Sequence, residues 1–145
     1  MSKYYTVKVR YDKKNEKGEL KKVTETYLVD ALSFTEAEAR TIEQMKPFIT
    51  GEFEVSNITP ANIAEIAFTE DVWADRWYKC KLEYITVSEK TEAVKRIPSY
   101  VLVQASSSRD AVKRFDAHMA GTMADYELVT INETRLMDVF FYGKG

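Results

Sequence analysis

Apolar and polar residues alternate from the start of the chain. Tyr5, Val7, Val9 and Tyr11 are separated by Thr6, Lys8 and Arg10, the period of a strand with one buried face. Residues 12–21 are polar, contain Gly18 and predict a hairpin loop. Val23, Tyr27, Val29 and Ala31 then share one face of a second strand. The period changes at Ser33-Phe34-Thr35-Glu36, a capping box: the Ser33 side chain accepts from an amide three residues on, and Glu36 reaches back to the cap amide. Ala37, Ile42 and Met45 continue at helical spacing, and Pro47 and Gly51 mark the helix end. Phe53 and Val55 open a third strand, Thr59-Pro60-Ala61-Asn62 predicts a turn, and residues 63–68 form a fourth apolar segment, assigned as strand.

The same order then returns. Lys3-Tyr4-Tyr5-Thr6-Val7-Lys8-Val9-Arg10-Tyr11 matches Arg76-Trp77-Tyr78-Lys79-Cys80-Lys81-Leu82-Glu83-Tyr84 at a shift of 73, and Leu28-Val29-Asp30-Ala31 matches Leu102-Val103-Gln104-Ala105 at a shift of 74. Glu52 to Val55 match Asp125 to Leu128 at 73, while Ala37, Arg40 and Met45 match Ala111, Arg114 and Met119 at 74. Strands are predicted over 77–87, 97–105, 126–131 and 136–142, with a helix over 107–120 capped by Ser107 and Asp110. The pattern predicts an α+β protein, a tandem duplication of a ββαββ unit with mostly antiparallel sheet and one helix per copy. Its copies, 1–69 and 76–145 joined by an acidic linker 70–75, would form one pseudo-twofold, pseudo-dimeric domain.

Size supports a shared architecture, because each half of the 145 residues is near the lower limit for an independent core. The formal net charge of −2 gives no global field that would recruit nucleic acid or membrane. The split between the halves, −3 over residues 1–74 and +1 over 75–145, is too small to define a binding face. A single cysteine, Cys80, suits a reducing compartment. No signal segment or membrane-length apolar run is present, so the expected location is the cytoplasm, or the host cytoplasm for a phage-encoded protein.

Three stretches resemble a known family: Tyr27-Leu28-Val29-Asp30-Ala31-Leu32-Ser33-Phe34-Thr35-Glu36-Ala37-Glu38-Ala39-Arg40, Arg76-Trp77-Tyr78-Lys79-Cys80-Lys81, and the end running from Glu133-Thr134 to Asp138-Val139-Phe140. The chain is similar, over nearly its whole length, to a domain-of-unknown-function family of small proteins from Bacteroides-type gut bacteria and their crAss-like phages. The resemblance brings no catalytic or binding residues. It implies a phage or mobile-element setting, where replication accessories and anti-defence proteins are common.

Recognisable catalytic chemistry is sparse. His118 falls on the second predicted helix, opposite Gln44 of the first copy, and reads as a solvated imidazole. Cys80 replaces Val7 in a strand and reads as a small buried hydrophobe. The five glycines form no phosphate-binding loop, and no Cys/His cluster has zinc spacing. Glu52 and Glu54 recur as Asp125 and Glu127, and Glu65 as Asp138. They read first as solvated or edge-protecting charges, with a metal-dependent nuclease as a lesser alternative.

The outer face of each leading strand is more suggestive. With Tyr5, Val7 and Val9 inward, Tyr4, Lys8 and Arg10 point outward, joined by Lys22; the second copy offers Trp77, Lys79, Lys81, Arg96 and Tyr100. Aromatic rings followed by alternating cations suit single-stranded nucleic acid, since bases stack on the rings at roughly 1–3 kcal/mol each and cations track the phosphates. A shift of one residue would turn every one of these side chains to the other face. The expected function is non-catalytic single-stranded DNA binding in phage or mobile-element replication, without cofactor or metal. The alternative is a module that binds a protein or small nucleotide, as a host-interaction or anti-defence factor. No membrane partner is expected, and the protein is a monomer or homodimer.

Overall fold

A computed structural model describes residues 3–143. Ten elements follow one another: β1 (Lys3–Lys14), β2 (Leu20–Ala31), α1 (Phe34–Met45), β3 (Phe53–Ala61), β4 (Glu65–Ala67), β5 (Arg76–Val87), β6 (Val94–Ala105), α2 (Ser108–Met119), β7 (Tyr126–Glu133) and β8 (Leu136–Phe140). They build two four-stranded sheets, in the orders β3-β1-β2-β8 and β4-β6-β5-β7. Four pairings are antiparallel; β2·β8 and β4·β6 are parallel. Over the described residues the protein is therefore α+β, with mostly antiparallel sheets and two helices.

The fourth strand of each sheet comes from the other half of the sequence. One compact unit joins the chain up to Ala61 with the chain from Leu136 onward, and the other is Asn62–Arg135. The compact units thus differ from the consecutive stretches 1–69 and 76–145. Loop length gives the reason. Only residues 62–64 separate β3 from β4, and only residues 134–135 separate β7 from β8. The place beside β2 lies at the far edge from β3, and a strand filling it runs parallel to both. Such a return needs a crossover of about a dozen residues or more. Two or three residues cannot make it, so each short strand leaves its own sheet.

Several sequence expectations are refined. The turn at Thr59-Pro60-Ala61-Asn62 is mostly strand: Pro60 sits in β3 opposite Tyr5, on a sheet edge where its missing N–H is tolerated. The segment 63–68, assigned as strand, contains the three-residue strand β4. The hairpin loop shortens to 15–19, with Asn15 Oδ1 accepting from the amides of Lys17 and Glu19 and Gly18 at φ +81. Ser33 and Ser107 cap the helices by accepting from the amides of Glu36 (3.1 Å) and Asp110 (3.0 Å). The returning carboxylates go one residue beyond the cap, to the amides of Leu32 (2.8 Å) and Ser106 (2.9 Å).

Each helix covers one face of its sheet. In the second unit Tyr78, Cys80, Leu82, Val101, Val103 and Ala105 pack with Ala111, Phe115 and Met119 of α2. In the first unit Tyr5, Val7, Val29 and Ala31 pack with Ala37, and Val9 and Tyr27 with Met45 and Ile49. Phe140 from β8 packs against both of these clusters.

Side chains at matching positions fasten the incoming segments. In the first unit Asp30 Oδ1 accepts the amide of Tyr142 (2.7 Å), and Gln44 Nε2 donates to the Tyr142 hydroxyl (2.9 Å). Arg40 donates to the Asp30 carbonyl and lies 4.2 Å from the Tyr142 ring centroid. In the second unit Gln104 accepts from the Thr69 amide and donates to the Ala74 carbonyl, both at 3.1 Å. Arg114 donates to Thr69 Oγ1 (2.8 Å), Asp71 (2.7 Å) and Asp110 (2.8 Å), and His118 Nε2 lies 3.1 Å from Glu65 Oε1. Positions 30, 40 and 44 correspond to 104, 114 and 118 at a shift of 74, so one side-chain set does the same work twice.

Arg114→Ala is expected to cost about 1–3 kcal/mol in denaturant unfolding, the range for losing charged hydrogen bonds. Phe115→Ala, which empties a fully buried position, should cost about 3–5 kcal/mol. Hydrogen exchange should distinguish the two: Arg114→Ala should accelerate exchange at Ile66, Ala67 and residues 68–74 well before the rest of the sheet.

Candidate functional site

The residues proposed for nucleic-acid binding fall into two groups. Lys8, Arg10, Lys22 and Arg96 are exposed, and Tyr4, Lys79, Lys81 and Tyr100 are half-buried. Trp77 is a correction: it is only 5 % exposed. Its phase in β5 is the predicted one, opposite the face that packs on α2, but that end of the face is covered. The Phe68 ring meets Trp77 edge-on at 5.9 Å. Neighbouring Gln104 holds Thr69 and Ala74, and Thr134 donates its hydroxyl to the Trp77 carbonyl at 2.8 Å. The stretch read as a linker, 70–75, is thus folded onto its sheet, with Ala74 buried.

The cations are also partly committed. Arg96 pairs with Glu83 (3.1 Å) and Glu127 (3.2 Å), and Arg10 lies 4.0 Å from Glu54. Lys79 lies 4.6 Å from the Tyr100 ring centroid. Two of the repeated acids, Glu54 and Glu127, thus serve as partners to these arginines. Arg10 and Lys22 join Asp12, Glu52 and Glu54 around a polar hollow of about 260 Å³. Glu65 meets His118, and Asp138 Oδ1 accepts the amide of Val139 (2.8 Å). Among the described residues no three His, Cys, Asp or Glu side chains gather closely enough to share a metal ion. Cys80 is fully buried, and burial pushes its thiol up to about 11, far from the thiolate form a nucleophile needs.

A different site stands out in the first unit. A pocket of about 270 Å³ lies between the C-terminal end of α1 and the β1-β2-β8 side of the sheet. Its walls are largely apolar: Met45, Phe48, Ile49, Met137 and Phe140, with the rings of Tyr11 and Tyr27. Tyr27 and Phe140 stack with centroids 4.9 Å apart and planes 15° off parallel. At 78 % exposure, Phe48 projects at the rim. The polar groups are Glu25, Lys13 and Asp138.

Glu25 organises this end of the pocket. Its side chain is 11 % exposed. Tyr11 and Tyr27 both donate their hydroxyls to Glu25 Oε1, at 2.9 and 3.1 Å, and Lys13 Nζ lies 3.5 Å from Oε2. The register explains the meeting: Tyr11 stands opposite Val23 and Val9 opposite Glu25, so the hairpin brings positions 11, 25 and 27 to one end of the sheet. Burial, together with the hydrogen bond and charge of Glu25, raises Tyr11 from the ordinary value of 10.0 to about 12. Burial and the Glu25 charge raise Tyr27 further.

Nothing in the sequence reading singled out Glu25, and Lys13 fell inside the expected loop. One signal was present: the corresponding positions of the second half differ. Ser99 stands for Glu25, Val101 for Tyr27 and Ala67 for Phe140. The second unit takes its bulk from α2 instead, where Phe115 meets Tyr126 edge-on at 6.2 Å. The matching α1 residue is Thr41, whose hydroxyl bonds back to the Ala37 carbonyl at 2.8 Å.

The chain belongs to a family described as a domain of unknown function (DUF4494), whose model matches residues 3–142. No curated protein matches it. Among the described residues no helix is long and apolar enough to cross a membrane.

Both phenols hold their protons more tightly in the folded state, so this part of the stability is full below about pH 10 and is lost as the pH rises through about 12. Ultraviolet titration should show two tyrosines ionising after the others. The double variant Tyr11→Phe, Tyr27→Phe should lack that late phase, and its stability should fall less steeply above about pH 10.

Proposed function

We propose that the protein is a non-catalytic binding module whose ligand is a small molecule received by the pocket of the first unit. The observation that carries this is a largely apolar hollow with a largely buried, hydrogen-bonded carboxylate at its wall. An apolar pocket with a few convergent polar groups is the usual form of a small-molecule site. Its volume of about 270 Å³ is just under the range of about 300–1,000 Å³ common for drug-sized ligands, so the ligand is small. The second unit has Ser99, Val101 and Ala67 where the first has Glu25, Tyr27 and Phe140, which favours a local role for these three over a general packing need. The repeated order of elements and the constant shift of 73 or 74 residues support an origin by tandem duplication, after which one unit acquired the pocket. The phage or mobile-element setting implied by the family resemblance would make this a small host-interaction or anti-defence factor.

Single-stranded DNA fits less well. That function needs aromatic platforms beside unpaired cations. Trp77 is buried, and Arg96 sits between two carboxylates.

Screening small molecules by thermal shift should find compounds that raise the melting temperature of the wild-type protein. Met137→Trp, which places an indole at the half-exposed rim, should abolish those shifts without unfolding the protein. Hits that survive in Met137→Trp would count against this pocket. Separately, titration with poly-dT at low salt should leave tryptophan fluorescence unchanged; salt-sensitive quenching would restore the DNA function.

A further inference from the structure

The chemistry of the pocket points to a class of ligand. We infer that it takes an organic cation, a primary amine or guanidinium carried on a small apolar body. The inference rests on the pocket being a ligand site, as proposed above.

The two oxygens of Glu25 are used differently. Oε1 is occupied by two phenol hydroxyls that belong to the pocket wall. These bonds fix the carboxylate in place and leave Oε2 as its remaining charged edge. Oε2 meets Lys13 at 3.5 Å, and the Lys13 side chain is 55 % exposed. An exposed lysine of this kind forms a weak ion pair, held against the entropy of a long side chain and screened by salt. A ligand ammonium or guanidinium can take its place at Oε2, and a charge-assisted hydrogen bond to a largely buried carboxylate is among the stronger polar contacts.

The surroundings favour the same charge. The formal charges lining the pocket are Glu25 and Asp138 against Lys13, so the lining is negative, and more so once Lys13 swings away. The rings of Tyr11, Tyr27 and Phe140 line the pocket, and aromatic rings attract cations at short range. Met45, Ile49 and Met137 supply the apolar surface that a carbon skeleton would bury. An anionic ligand would have to sit beside two carboxylates with one exposed lysine in its favour. A neutral ligand would leave the Lys13 pair in place and gain only the apolar contacts.

The test uses three probes of similar shape and different charge: 2-phenylethylamine, 2-phenylethanol and 3-phenylpropionate, titrated calorimetrically into the full-length protein. The amine should bind at least tenfold more tightly than the alcohol, and the carboxylate most weakly. Glu25→Gln keeps an acceptor for both phenols and should erase the preference for the amine while sparing the weak binding of the alcohol. Lys13→Met, at an exposed position, removes the competing cation and should tighten amine binding severalfold, so the inference can be judged even if Glu25→Gln fails to fold. If the alcohol or carboxylate binds as well as the amine, and Met137→Trp still blocks it, the cation preference is overturned while the pocket stands. If none of the three binds, or if Met137→Trp does not affect binding, the pocket itself fails and the inference with it.

Discussion

Everything in this fold depends on two parallel strand pairings, β2 with β8 and β4 with β6. Each completes a four-stranded sheet with a strand that the preceding chain cannot deliver to its own sheet. A connection of two or three residues permits an antiparallel hairpin or a departure, and the chain departs. The consequence is that neither half of the sequence holds a complete unit. The first unit needs β8 to close one side of its apolar core, because Phe140 touches both clusters beneath α1. The second unit receives only three residues of strand, and compensates with a denser polar fastening around Arg114.

That fastening connects sequence to packing in a direct way. Arg40 and Arg114 lie in the middle of amphipathic helices, where an exposed arginine ordinarily reads as solubility chemistry. Here both are only about a quarter exposed, and both address the segment two residues beyond an incoming strand. In the buried Asp30, Oδ1 accepts the Tyr142 amide and lies 3.8 Å from Arg40, while Oδ2 has no hydrogen-bond partner among the described residues. The candidate pocket is a by-product of the same exchange: Met137, Asp138 and Phe140 are all contributed by β8. A site built from β1, β2, α1 and a strand that starts 91 residues after α1 ends has no local signature.

Much of the framework was legible in order. The alternation at Tyr5, Val7 and Val9, the two serine caps and the two hairpins follow from period, capping chemistry and turn residues, all of which act over a few positions. The inward phase of β1 and β5 was also legible, since Cys80 and Leu82 are buried where alternation places them. What failed was the step from phase to exposure. Trp77 has the outward phase yet is covered by the stretch around Phe68 and Ala74, because the back of a sheet is wet only where nothing else folds over it. Likewise Pro60 reads as a turn in isolation and lies in a strand in context, since an edge position does not use its missing N–H.

The amino-acid sequence by itself determined the two hairpins, the two capped helices, their apolar faces and the near-constant spacing between corresponding positions. These rest on short-range chemistry that neighbouring residues settle among themselves. Only the tertiary structure decided which sheet receives β4 and β8, which aromatic rings stay in water, and that Glu25, Tyr11 and Tyr27 converge with Phe140. Those outcomes depend on contacts between residues far apart in the chain, where closure of short loops and competition for buried surface outweigh local preference.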